Sequence, residues 1–374
     1  MGWCARWGVR QAGLWAVSLI LLLRSGECVE NLRALRAKHA QVLTSARPVC
    51  TVPENERQTV RAFMGAMAVA SPDPTGKFSG RRQDMRDTWF PSTKAGLDDF
   101  QKRTGIVLRM VMGSKGLLDD ERVAMQQEAD KHGPFLWLPI KEQYKELYAK
   151  TQSFLSIVTC HYDAQWIVKV DDDIYISLEK VPALLEQWER KGVGYAGCFE
   201  HKWGYADSPH HASYYKGDGT KFAVGPFYAI DGKLATAVQR ANLPLRFFTN
   251  EDVGTSNMMK VLDVEWTHDG RVCAAGCHAN AVGIVVHSTN PAYRGACTAS
   301  ELKDDSTHRM STCFNRLHQE CSAIQDWQPG FEAAYEDLKP WTDWAEEEQI
   351  ELDAQDAARE AAAKAAGRRQ MLAA

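Results

Sequence analysis

The chain has no marked excess of charge of either sign. Its 44 Lys and Arg stand against 48 Asp and Glu, a formal net charge of -4, with a pI near 6.3. A nucleic-acid partner is disfavoured on that ground, because a phosphate backbone recruits a basic surface. No Asn-X-Ser/Thr sequon occurs, so nothing marks the protein itself for N-glycosylation. Cys273 and Cys277 have no C-x2-C partner pair with histidines at zinc spacing, which argues against a zinc module. The N-terminal apolar run, Ala12 to Leu23, falls short of the roughly 20 residues that a full membrane span needs.

What is present is the composition of a globular protein: 374 residues, 45% hydrophobic and 25% charged, enough for one large domain or two ordinary ones. Twelve Trp, eleven Tyr and thirteen Phe supply rings that either fill a core or stack on sugar faces. Ten cysteines fit an oxidising lumen better than cytosol, with their pairing open. Arg6 and Arg10 precede the apolar run and Arg24 follows it, the signature of a secretory address. The run fits either a cleaved signal peptide or a short signal-anchor with a cytoplasmic N-terminus and a lumenal body. In the anchored form Cys4 is cytoplasmic, leaving nine lumenal cysteines and at least one without an intrachain partner. The expected divisions are 1–27 for this tip and anchor, 28–57 for a stem, 58–322 for the main domain and 323–374 for a charged, Ala-rich tail.

Leu32, Leu35, Val42 and Leu43 have helical spacing and predict a stem helix over about Val29 to Ala46. From Thr59 onward, apolar strands alternate with amphipathic helices: AFMGAMAVAS, a loop with SPDPTGKFSG, IVLRMVMG, the charged helix LLDDERVAMQQEADK, FLWLPI and a further helix. That alternation predicts an α/β domain with a mostly parallel central sheet flanked by helices. Ligands of such sheets collect beyond the carboxyl ends of the strands. In WIVKVDDDIYIS the triplet Asp171, Asp172 and Asp173 falls at such an end. If the backbone stays extended, Asp171 and Asp173 share one face and Asp172 takes the other. Two converging carboxylates suit a hard divalent cation, Mn2+ or Mg2+, and through it a diphosphate. The alternative is an acidic turn leading into the helix LEKVPALLEQWE.

Five ordered motifs resemble the β1,3-galactosyltransferase family, glycosyltransferase family 31, over about Thr59 to Cys297. The first is RRQDMRDTW, with Arg81, Arg82, Arg86, Thr88 and Trp89 at the family's positions. PIKEQYKELYAKTQSFL is similar to the family's helix through Tyr144, Leu147, Lys150 and Thr151. KVDDDIYI supplies the acid triplet, KFAVGPFYAI the Gly-x-x-Tyr strand through Gly225 and Tyr228, and NEDVGTSNMMKVLDVEW the Glu-Asp-Val segment. Plant and algal members are the most alike.

The resemblance implies a GT-A type nucleotide-sugar transferase that inverts the anomeric centre, moving a sugar from UDP to a hydroxyl of a glycan or glycoprotein in the Golgi lumen. Galactose and N-acetylglucosamine are both donors in the family, and a relative that binds carbohydrate without turnover is the alternative. Asp173 and a late histidine, best matched by His287, would ligate Mn2+ (or Mg2+). Asp171, Arg81, Arg82, Arg86 and Lys169 would hold the UDP-sugar, Arg86 otherwise anchoring the fold. Asp252 would be the base that takes the acceptor proton, with Glu251 beside it. His268, His278, His210 and His211 are rivals of His287. Trp203, Tyr214 and Tyr215 would stack on an acceptor sugar or pack against their loop. This chain departs from the pattern by placing Gly254 directly after Val253 and Ser256 at the position where the family has glycine.

Overall fold

The computed structural model describes residues 47–72, 76–143, 146–200, 222–240, 250–262, 264, 266–286, 296–298, 301, 310–324 and 338–340. Strands are β1 (Gln58–Met67), β2 (Ile106–Lys115), β3 (Leu136–Lys141), β4 (Tyr162–Asp171), β5 (Ile174–Ile176), β6 (Tyr195–Glu200), β7 (Phe222–Asp231), β8 (Trp266–Asp269), β9 (Gly283–Val285) and β10 (Leu338–Pro340). The main helices are α1 (Lys77–Thr88), α2 (Lys94–Thr104), α3 (Asp119–His132), α4 (Leu147–His161), α5 (Val181–Arg190), α6 (Gly232–Arg240), α7 (Glu251–Val261) and α8 (Ser311–Ser322).

Eight strands form one sheet in the order β10-β8-β6-β7-β4-β1-β2-β3, and β5 pairs with β9 separately. Only β7 and β10 run against the other six. The α/β, mostly parallel sheet expected from the alternation of strands and helices is therefore present. Its central strands read as nearly continuous apolar runs because helices cover both faces. Period-2 alternation sorts their side chains into two layers. Ala62, Met64, Trp166, Val168 and Val170 pack on one side with Leu184, Leu185 and Trp188 of α5. Phe63, Met67, Ile167 and Tyr228 pack on the other with Phe154 and Leu155 of α4 and Met258 of α7.

Two segments differ from the sequence expectation. The loop SPDPTGKFSG stops early: α1 starts at Lys77, so RRQDMRDTW lies on a helix that follows β1. No apolar stripe marks this helix in the sequence, since its buried face carries Arg82, Asp84 and Arg86 beside Met85. The 323–374 segment read as a tail contributes β10, which pairs antiparallel with β8 at the sheet edge. Pro340 is compatible with an edge strand, where a missing N–H goes unused. The stem helix and the Ala12 to Leu23 run lie outside the described residues. Among the described residues, no helix is long and apolar enough to cross a membrane.

Eight cysteines pair as Cys50–Cys160, Cys198–Cys273, Cys277–Cys321 and Cys297–Cys313, and none of those described is free. Cys50–Cys160 closes a loop with a sequence separation of 110, fastening the segment before β1 to the end of α4. Constraint of so long a loop in the unfolded chain is worth about 2–4 kcal/mol. Cys50→Ser is expected to lose that much in urea unfolding.

Candidate functional site

The acid triplet stands at the carboxyl end of β4, beside the carboxyl end of β1, with Met67 paired to Asp171. The strand ends at Asp171, and Asp172 and Asp173 turn before β5 begins. The backbone therefore does not stay extended, and the alternating-face expectation gives way to a different division. Asp171 faces Lys169, whose Nζ lies 2.6 Å from its Oδ1. Asp172 and Asp173 face Arg81, whose Nη1 lies 2.6 Å from Asp172 Oδ1 and 3.5 Å from Asp173 Oδ2. Asp172, which received no role from the sequence, thus fixes Arg81. Arg81 also carries a buried Nε–H with no acceptor among the described residues.

The second half of the site comes from α7. Asn250 caps this helix by accepting from the Val253 N–H. Glu251 and Asp252 occupy its first turn, where the helix dipole favours negative charge. Glu251 Oε1 accepts from the hydroxyls of Tyr228, Thr151 and Thr255. Its Oε2 faces Lys169 Nζ at 3.4 Å. Asp252 Oδ2 accepts from the Gly225 N–H at 2.9 Å.

Gly225 on β7 joins the two halves. A Cβ there would lie 2.8 Å from Asp252 Oδ1 and 3.2 Å from Asp171 Oδ2. The carboxylates of β4 and α7 therefore flank one point, which the absent side chain leaves open. Gly225→Ala is expected to push both acids aside while leaving the fold intact. Displacing reacting groups by about 1 Å costs on the order of 10²-fold in rate. A kcat loss of that size with unchanged circular dichroism checks it.

Electrostatics divide the acids. Burial raises the Asp252 carboxyl well above its ordinary value, and the charge of Glu251 and a hydrogen bond to it add to the rise. Burial would raise Glu251 too, but Lys169 and hydrogen bonds from Asp252, Tyr228 and Thr151 outweigh it and hold this carboxyl at about 2. As pH rises, Glu251 is therefore the first of the pair to lose its proton and Asp252 the last. Burial, then Asp171 and Asp172, push Asp173 up to about 7, although its side chain is 30% exposed to water.

Of the residues the sequence nominated, Arg81, Lys169, Asp171, Asp173 and Asp252 come together here. Arg82 and Arg86 engage a different partner. Arg82 is fully buried and gives Nε and Nη2 to Glu128 at 2.8 and 2.7 Å, and Nη1 and Nη2 to the carbonyls of Val69 and Ser71. Arg86 Nη2 reaches Glu128 Oε1 at 2.6 Å. The sequence expectation gave these two a donor-binding role; in the structure they brace α1, α3 and the segment after β1. Lys169, expected from the sequence to hold the donor, is likewise engaged within the protein. Its ammonium donates to the Gly225 carbonyl at 2.6 Å and forms ion pairs with Asp171 at 2.6 Å and Glu251 at 3.4 Å.

His287, Tyr144, His210, His211, Trp203, Tyr214 and Tyr215 lie outside the described residues. The ring Nδ1 of His268 accepts from the Phe199 N–H and that of His278 from the Asn280 N–H. Ser256, at the family's glycine position, meets the Tyr195 hydroxyl and accepts from the Ala223 N–H, so the departure is accommodated inside the core. Sequence reasoning missed Glu128, the counter-ion of both arginines. It sits mid-helix in the exposed-looking run QQEADK, and no local spacing marks it.

Among the described residues no three His, Cys, Asp or Glu side chains already form a metal cage. The donor set nevertheless suits a hard cation. Among the described residues, Asp171, Asp172, Asp173, Glu251 and Asp252 face Arg81 and Lys169, so carboxylates outnumber cations, and Asp171, Asp173 and Asp252 are partly exposed. A divalent ion between Asp171 and Asp173 would relieve that excess. A cavity of about 860 Å³, lined by Gln58, Arg61, Gln101, Lys102, Asp163 and Lys233 among others, opens at the amino ends of β1 and β4, opposite these acids.

Strand-end carboxylates, an opposing helix-start acid pair and an arginine thus meet at one edge of an α/β sheet. The galactosyltransferase family model matches residues 80–270. The chain belongs to the galactosyltransferase family. It is similar to the probable beta-1,3-galactosyltransferase 4 of Arabidopsis thaliana, 34% identical over 241 residues, 60% of this chain and 58% of the relative. It is also similar to the probable beta-1,3-galactosyltransferase 1 of Arabidopsis thaliana, 31% identical over 63% of this chain and 65% of the relative. The chain thus spans less than two thirds of the length of these two. With beta-1,3-galactosyltransferase 7 of the same plant the identity is 29% over 75% of each chain. Among solved structures it is similar to the galactosyltransferase LgtC in complex with donor and acceptor sugar analogues, at 10% identity and a TM-score of 0.34 over 72% of this chain and 99% of that one. Another is the mannosyltransferase PcManGT from Pyrobaculum calidifontis in complex with GDP-Man and Mn2+, at 11% identity and a TM-score of 0.29 over 59% of this chain and 57% of that one.

Proposed function

We propose that the chain is a metal-dependent, inverting glycosyltransferase of GT-A type that moves galactose from UDP to an acceptor hydroxyl, forming a β1,3 linkage on a glycan or glycoprotein. The observation that carries this reading is the pair of carboxylates flanking Gly225, one from the strand-end triplet and one from the start of α7. An inverting displacement needs this opposition, with charge stabilisation on the leaving-group side and a base on the acceptor side. Asp173 with Asp171, and His287 as expected from the sequence, would hold Mn2+ or Mg2+. When bound, the cation supplies positive charge to the diphosphate leaving group.

Arg81, held by Asp172, would bring a further positive charge to that diphosphate. Asp252 takes the proton of the acceptor hydroxyl as its oxygen bonds to C1 of the sugar. The C1 bond to the phosphate oxygen breaks on the opposite face, and UDP leaves with the electron pair. Glu251 remains ionised and holds its neighbour in place.

The N-terminal run and the four disulfides support a site of action in the Golgi lumen, with the chain tethered through Ala12 to Leu23 as a type II membrane protein. The test is a donor screen of the full chain with Mn2+, comparing UDP-galactose with UDP-N-acetylglucosamine over simple sugar acceptors, with and without chelator. Transfer from UDP-galactose that the chelator abolishes is expected. Preference for UDP-N-acetylglucosamine changes the donor, and chelator-resistant transfer removes the metal.

A further inference from the structure

We infer that Lys169 is a positioning residue that locks the donor-side and base-side halves of the site into one register and makes no contact with the donor. The inference rests on the transferase reading above and concerns how that site is held. Lys169 lies on β4 with a side chain only 6% exposed. It stands directly across from Tyr228 on β7, and its Nζ sits 5.4 Å from the centre of that ring. Three oxygens from three different elements surround the ammonium. Asp171 Oδ1 belongs to the end of β4 at 2.6 Å, the Gly225 carbonyl to β7 at 2.6 Å, and Glu251 Oε2 to α7 at 3.4 Å.

These partners are the neighbours of the reacting positions. Gly225 uses its carbonyl on Lys169 and its N–H on Asp252, so one peptide segment links the lysine to the base. Glu251 precedes Asp252, and the three hydroxyls on its Oε1 leave Oε2 to face the lysine. Asp171 approaches the point that Asp252 flanks from the other side. Without a cation at this place, Asp171 and Glu251 would repel across a buried gap and move apart. An ammonium suits the task because its three donors radiate to three separate elements. Arginine's planar fork carries the charge but cannot reach all three oxygens.

The test measures transfer by wild type, Lys169→Met and Lys169→Arg, together with hydrogen exchange of each chain without donor. A positioning role predicts that kcat falls by about 10²-fold in Lys169→Met while KM for UDP-galactose changes by less than about 3-fold. Lys169→Arg recovers part of the loss. The acid limb of the pH profile moves upward in Lys169→Met, because a lost cation lets both acids of the pair hold protons to higher pH. In the donor-free protein, amides of Gly225 and the first turn of α7 exchange faster in Lys169→Met. A rise in KM of about 10-fold or more at unchanged kcat, with unchanged exchange, overturns the inference and makes Lys169 a donor contact. If the wild-type chain transfers from neither donor, the functional reading fails by itself. The exchange rates then decide Lys169: faster exchange supports positioning, and unchanged exchange overturns it.

Discussion

Asp252→Asn is expected to lower transfer by about 10²–10⁴-fold, the range that a general base contributes, while UDP binding survives. The substitution is close to isosteric. Its amide oxygen can accept from the Gly225 N–H as Asp252 does, and its amide N–H can donate to Glu251 in place of the shared proton. What it cannot do is take a proton from the acceptor. Unchanged transfer would remove Asp252 as base, and lost UDP binding would move it to the donor side. A pH effect follows from the raised Asp252 carboxyl. A base must be ionised, so kcat/KM of the wild type falls as pH drops through the raised value, well above the ordinary aspartate value of about 3.9. An acid limb at the ordinary carboxylate value would contradict this assignment.

Glu128→Ala is expected to cost about 3–5 kcal/mol of folding stability, because it leaves two buried guanidinium groups without a counter-ion. Arg82 is 0% and Arg86 4% exposed at the side chain, and Glu128 bonds to both. Val69 and Ser71 would still accept from Arg82, but carbonyls do not neutralise its charge. Burial alone would raise the Glu128 carboxyl, yet hydrogen bonds and charge from Arg82, then Arg86, hold it below its ordinary value. Its folded form therefore binds fewer protons in acid than the unfolded form. The stability it contributes is present above the unfolded pKa of about 4.3 and lost as pH falls through the depressed folded value. Urea unfolding of wild type and variant at neutral pH measures the difference. A loss below about 1 kcal/mol, as for an exposed pair, would show that water reaches the arginines.

The sheet was legible in the sequence because its central strands are continuous apolar runs, and their alternation with amphipathic segments fixes the layer order. Motif order carried the site further: Asp171, Asp173, Asp252, Arg81 and Lys169 do converge, from β4, α7 and α1. What the sequence could not reveal was the division of labour among its cations. RRQDMR presents three similar arginines, and which face an anion depends on where the helix turns them. At 100° per residue, Arg81 points to the triplet, while Arg82 and Arg86, four apart, share a face and converge on Glu128. That partner is supplied by α3, more than 40 residues on, and only packing brings it there. The edge strand β10 was hidden for a related reason, since three residues beside a charged tail carry no periodicity of their own.

The most direct measurement is the stereochemistry of the product. The full chain is incubated with Mn2+, UDP-α-galactose and a sugar acceptor, and the anomeric proton of the new linkage is read by NMR. A base on the acceptor side, opposed to the strand-end acids, predicts a large β-type coupling, formed with inversion and abolished in Asp252→Asn. An α-type coupling, or free galactose released without transfer, would contradict it.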